Sequence, residues 1–222
     1  MHKLRIFVKE LRSFLILWST QSLSALGSSM TGFALIIWSY QQQGSALTTA
    51  MLTVCSYAPY VLMSIFAGAL SDRWNKKITM LLSDSFAALC TVAVLVLLQT
   101  GRLQIWHLYG LNALNGLMNT VQRPAADVTI TLLTPKKHYQ RVSGMRSFSN
   151  SLVNILTPVL AAAVLALSGL QTVIWIDLFT FAAAFCELLF FVRIPDLQEE
   201  HREKETVPQA AKAGLRYLKH NR

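Results

Sequence analysis

Six apolar stretches, each longer than the ~20 residues a helix needs to cross a bilayer, dominate this chain and make lipid its solvent. They run over residues 14–40, 46–70, 78–99, 104–133, 142–167 and 171–192. A soluble globule is excluded by size. With 222 residues, 53% hydrophobic and only 14% charged, the chain cannot hide so much apolar surface in one core. The sequence therefore predicts an all-α integral membrane fold: a short N-terminal segment (1–13), six transmembrane helices, and a charged tail (193–222). The connections leave no room for a soluble domain. The first stretch follows a basic segment, yet it is too long for a signal-peptide core and ends without a small-residue cleavage site, so it is a retained helix.

The basic residues set the orientation. Lys3, Arg5, Lys9 and Arg12 precede the first helix; Arg73, Lys76 and Lys77 follow the second. Lys136, Lys137, Arg141 and Arg146 cluster after the fourth, and seven Lys and Arg lie in the tail. The loops between hold only Arg102, while Arg123 falls within helix four. Positive charge marks the cytoplasmic side, so both termini are expected inside, in a multi-pass protein of the cell membrane. Trp38, Tyr40, Trp106, Tyr109 and Trp175 then fall near the outer interface. The formal charge of +9 is spread over these loops and forms no nucleic-acid patch; the lipid bilayer is the expected partner. Cys55, Cys90 and Cys186 lie inside apolar segments at no metal-ligand spacing. No hydrolase, zinc-protease or phosphate-loop signature occurs, so an enzyme is not expected. In the tail, 209–219 is either a solvated linker or a short amphipathic helix on the inner surface.

Four helices carry polar stripes at steps of three and four, each on one helical face. They comprise Gln21, Ser24, Ser28 and Thr31; Thr53, Tyr57, Tyr60 and Ser64; Asn112, Asn115, Asn119 and Arg123; and Ser147, Asn150, Asn154 and Thr157. Such side chains either hydrogen-bond helix to helix, at about 0.6 kcal/mol each, or line a water- or substrate-filled cavity. Four stripes rich in Asn, Gln and Tyr exceed what packing demands and point to the cavity. Gln21, Ser24, Ser28, Tyr57, Tyr60, Asn112, Asn115, Asn119, Asn150 and Asn154 are its candidate lining for a small-molecule substrate. Helices three and six lack a stripe.

The connection after helix two reads Gly68-Ala69-Leu70-Ser71-Asp72-Arg73-Trp74-Asn75-Lys76-Lys77. It resembles the signature between helices two and three of the major facilitator superfamily, Gly-x-Leu-Ala/Ser-Asp-Arg-x-Gly-Arg/Lys-Arg/Lys. Gly68, Leu70, Ser71, Asp72, Arg73, Lys76 and Lys77 match. Asn75 replaces the second glycine, and Asn tolerates the left-handed turn that glycine serves. The stretch 21–27, Asp84, Arg123-Pro124-Ala125, Asp177 and the ending 213–222 are similar to the macrolide-efflux-like branch. The resemblance implies half of a twelve-helix fold, built as a 3+3 inverted repeat, in a proton-driven exporter of drugs or hydrophobic metabolites. A proton gradient is the implied driving force and no bound cofactor is expected. Helices one, two, four and five would line the cavity, the loop motif would gate it, and a C-terminal six-helix half would complete it. Two departures weaken the antiporter label. Asn112 stands where antiporters carry an arginine four residues before a glycine (here Gly116), and Ala161 and Ala162 replace helix-five glycines, although Pro158 keeps the expected kink.

Acids inside the membrane cost about 2.5–3.5 kcal/mol on insertion scales. Arg123 and Asp127, four residues apart, are placed to neutralise each other and to join Asp72 at the cytoplasmic rim. Asp84 and Asp177 lie on supporting helices, where anchoring is expected over proton transfer. Glu187 lies close enough to the inner boundary to snorkel. The alternative to a half-transporter is a free-standing or truncated six-helix protein that pairs with a second copy or lacks transport.

Overall fold

The structure, a computed structural model, describes residues 11–192; within them, the side chains of residues 65–73 are left undescribed. Lys3, Arg5, Lys9, the tail charges and the side chains at 68 and 70–73 therefore lie outside the described residues.

Among the described residues six long α-helices follow one another: α1 (Arg12–Gln43), α2 (Ala46–Arg73), α3 (Lys76–Gln99), α4 (Ile105–Leu133), α5 (Tyr139–Ser168) and α6 (Leu170–Phe190). The turns are short because the caps are local. Gly44 closes α1 at φ 62°, a left-handed conformation that favours glycine. Ser45 then starts α2 by accepting from the Thr48 amide at 3.4 Å. Gly169, also at positive φ (81°), separates α5 from α6 within a single residue. At the head of α4, Gln104 and His107 form a reciprocal capping box.

Two connections are tighter than the sequence suggests. The loop expected over 71–77 shrinks to Trp74 and Asn75, because α2 continues to Arg73. Asn75 does not use the left-handed turn expected of it: its φ is −59°. Its carboxamide oxygen instead accepts from the Lys77 and Ile78 amides at 3.0 and 3.2 Å, capping α3. The loop expected over 134–141 is shortened by a 3₁₀ turn, Lys136–His138, that runs directly into α5.

α2 packs most extensively on α4, α1 on α6 and α5, and α3 on α4 and α6. An apolar cluster at one end draws on all six helices, including Met30, Leu52, Val94, Leu108, Ala161 and Ile174. A second cluster, Leu17, Met80, Ala125, Leu188 and Val192, closes the end that carries the α2–α3 turn. Small residues set the closest crossings. A Cβ on Gly116 would collide with the Ser56 carbonyl of α2, and one on Gly27 with Thr180 Oγ1 and the backbone of Asp177.

Among the described residues, five helices are long and apolar enough to cross a membrane: α1, α2, α3, α5 and α6. α4 is long enough at 29 residues, but Asn112, Asn115, Asn119, Gln122, Arg123 and Asp127 lower its hydropathy. α3 and α6 turn apolar faces outward, with Leu82, Leu89 and Val96 on one and Trp175, Phe179 and Phe190 on the other.

Candidate functional site

Between the two apolar clusters lies a polar layer built around two buried acids. Asp84, on α3, is joined by Gln21 of α1, whose Nε2 donates to Oδ2 at 3.5 Å, and by Gln122 of α4, which donates to Oδ1. Both carboxylate oxygens are thus occupied by carboxamide donors from two other helices. Asp177, on α6, accepts from Ser28 Oγ of α1 at 2.8 Å and from Thr91 Oγ1 of α3 at 3.5 Å. Each acid thus accepts hydrogen bonds from two other helices.

Beside Asp177 opens a cavity of about 380 Å³, framed by α1, α2, α3, α4 and α6. Among the stripe residues, Ser28, Thr31, Tyr57, Asn112, Asn115 and Asn119 line it. The Asn112 and Asn119 amides also donate back to their own helix, to Leu108 and Asn115 carbonyls at 2.9 and 3.1 Å. Gln21, Ser24 and Tyr60 do not line it, and Gln21 is committed to Asp84. Asn150 and Asn154 lie elsewhere, exposed on the side of α5 that no other described helix covers. The stripe on α5 therefore faces outward from this bundle. Thr157, the last member of that stripe, is buried and its hydroxyl finds no hydrogen-bond partner among the described residues.

Two expected arrangements of charge are replaced. Arg123 and Asp127 do not neutralise each other: the Asp127 carboxylate pairs with Arg146 of α5 at 2.5 Å, and the Arg123 guanidinium sits 5.2 Å over the Tyr60 ring. An aromatic face offers a desolvated cation a ready site, and an arginine on a neighbouring helix competes with one on the same helix. Glu187 does not snorkel; it is 6% exposed and accepts from Thr20 Oγ1 at 3.0 Å. Lys77 has a definite place as well. Its ammonium donates to the Leu189 and Val192 carbonyls at 2.9 and 2.8 Å, capping the end of α6. α5 passes Pro158 as one continuous helix, and Pro59 and Pro124 fall inside α2 and α4 in the same way.

Sequence reasoning missed Thr20, Thr91 and Gln122. The signal was present: an acid inside the membrane calls for donors, and a lone hydroxyl or amide on a neighbouring helix suffices without forming a stripe. It also missed the link from Ser22 of α1 to Ser149 of α5, at 3.0 Å.

A family model described as the Major Facilitator Superfamily matches residues 17–222. An uncharacterised MFS-type transporter of Bacillus subtilis, YfiS, is 24% identical over 94% of this chain and 49% of its own length. Macrolide efflux protein A of Streptococcus pyogenes is 24% identical over 83% of the chain and 45% of its own length. The protein of the same name from Enterococcus faecalis is 25% identical over 69% of the chain and 47% of its length. The chain spans about half the length of the curated relatives it matches.

Proposed function

Because the chain belongs to the Major Facilitator Superfamily, we propose that it is the N-terminal half of a secondary-active exporter of drugs or hydrophobic metabolites, driven by a proton gradient. The observation that carries this reading is the outward polar face of α2 and α5. Tyr57 is 56% exposed, and Asn150 and Asn154 are exposed on a helix apolar enough to cross a membrane. Lipid offers an Asn carboxamide no hydrogen bond, and unsatisfied polar groups are costly there. A second body must meet this face and leave water or substrate against it. A C-terminal six-helix half fits that requirement; a second copy of this chain is the competing occupant.

Several finer features belong to the same reading. α4 spans the membrane as the sixth helix, its asparagines half-buried in the bundle and its Arg123 over the Tyr60 ring of α2. The three-plus-three repeat is supported by the packing: exchanging the first three helices with the last three turns the α2–α4 contact into α5–α1 and the α3–α4 contact into α6–α1. Both termini lie in the cytoplasm of the cell membrane, by the distribution of basic residues. The 68–77 connection gates the inner side, with Lys77 tying it to the end of α6. Uncharged Asn, Ser and Tyr suit a neutral or weakly basic amphipathic cargo, and the relatives named for macrolide efflux make a macrolide the first substrate to try.

Export of a macrolide from cells carrying the whole protein tests the reading. Accumulation of the drug should fall on expression, return when a protonophore collapses the gradient, and return when Asn150→Leu and Asn154→Leu are combined. Substrate-dependent proton flux in vesicles containing this chain alone would refute the half-transporter reading.

A further inference from the structure

We propose that the cavity beside Asp177 binds one monovalent cation, a proton or Na⁺, through the Asp177 carboxylate and the hydroxyl oxygens of Ser28 and Thr91. The geometry singles out this acid among the four intramembrane candidates. Asp177 is only 4% exposed, yet it lines the cavity. Among the described residues no Lys, Arg or His lines that cavity, so none of them gives the carboxylate a counter-ion there. The others stand outside the lining of that cavity. Asp127 pairs with Arg146, Glu187 accepts from Thr20 and keeps one buried oxygen without a partner among the described residues, and Asp84 has both oxygens taken by carboxamides.

The donors on Asp177 are of a kind that permits exchange. A hydroxyl donates to a carboxylate and, after rotating, turns its lone pairs to a cation. Ser28 and Thr91 reach separate carboxylate oxygens from separate helices, leaving the cavity side open. One carboxylate balances one charge. Among the described residues no group of three or more His, Cys, Asp or Glu gathers for a divalent metal. The groups facing Asp177 are Ser28 and Thr31 from α1, Thr91 and Cys90 from α3, and, across the cavity, Asn112 and Asn115 from α4 and Tyr57 from α2. α5 contributes no lining residue, and Asp84 lies two turns from Thr91 along α3. Tyr57 and Cys90 are thus the other titratable side chains on the cavity.

Occupancy would register in the helix packing. Ser28 follows Gly27, which packs tightly against Asp177 and Thr180 of α6, so a cation that withdraws Ser28 from the carboxylate acts directly on that seam. Binding stands on the cavity alone; its coupling to export rests on the secondary-transport reading above.

The test uses the whole protein in lipid nanodiscs and dicyclohexylcarbodiimide, an apolar reagent that modifies protonated carboxyls, with adducts mapped by peptide mass spectrometry. The expected adduct is on Asp177, absent from Asp177→Asn and not shifted to Asp84. For a proton site, labelling falls about tenfold per pH unit beyond its midpoint and ignores Na⁺. For a sodium site, Na⁺ suppresses labelling at constant pH while K⁺ does not. Either result supports the proposal, and because the mapping is read on the wild-type protein it does not depend on a variant's folding. An unlabelled Asp177, or labelling indifferent to both ions, overturns it. Macrolide export measured alongside separates the two ideas. Gradient-driven export with an indifferent Asp177 removes the site and leaves the transporter reading. A cation-sensitive Asp177 with gradient-independent export does the reverse.

Discussion

Lys77 looks like a loop charge in the sequence, and the structure makes it the cap of another helix. Its two bonds to the Leu189 and Val192 carbonyls satisfy acceptors that a helix C-terminus leaves open. Lys77→Met should therefore fray the end of α6, raising amide hydrogen exchange over 188–192, with Lys77→Arg restoring most of the protection. Unchanged exchange in the Met variant would remove this role. Gln122 is a second case. Gln122→Leu leaves one oxygen of Asp84 without a donor, and a buried group so stripped costs about 1–3 kcal/mol. Thermal unfolding in detergent should show that loss, and a variant as stable as wild type would mean that Gln21 alone suffices. Local spacing could not foresee either contact. It placed Arg123 four residues from Asp127, but each found its partner elsewhere, on Tyr60 and Arg146. Long flexible side chains choose among all neighbours in space, and neighbours in space are what a single sequence withholds.

At the scale of the helix, legibility is uneven for a physical reason. Bilayer thickness dictates length and apolarity, so hydropathy outlines α1, α2, α3, α5 and α6, while the polar residues of α4 weaken its signal. Pairing is another matter. Helices associate in lipid by close packing of small residues, and a glycine in the sequence does not announce which glycine is a seam. The structure distinguishes them. Gly116 meets the Ser56 carbonyl, whereas Gly110, on the same helix, has open space beside it. Gly116→Ala should cost about 1–3 kcal/mol through overpacking of α2 on α4. Gly110→Ala should be neutral or stabilising by up to about 1 kcal/mol through helix propensity. Equal unfolding temperatures for the two variants would show that this crossing relaxes freely. The stripes divide in the same way: those of α1, α2 and α4 contribute to the inner cavity, while α5 turns Asn150 and Asn154 outward, a difference that their identical periodicity could not reveal.

For the whole molecule, the decisive contrast is between outward faces. α3 and α6 present Leu89 and Phe179, suited to lipid, whereas α5 presents Asn150 and Asn154 beside apolar residues such as Phe148, Ile155 and Val159. After Cys55, Cys90 and Cys186 are replaced, a water-soluble maleimide should modify Asn150→Cys and Asn154→Cys but spare Leu89→Cys and Phe179→Cys. Equal protection at all four positions would place the α5 face in a dry contact and would count against an aqueous pathway there. The long reach of one hydrogen bond also bears on how the protein is made. Ser28 finds Asp177 149 positions later in the chain. At ribosomal speeds of about 5–20 residues per second, α1 waits on the order of ten seconds or more for its partner to emerge. Through that interval its polar face needs a temporary host, and the insertion machinery, rather than the finished bundle, must keep the first helix from being lost to the lipid.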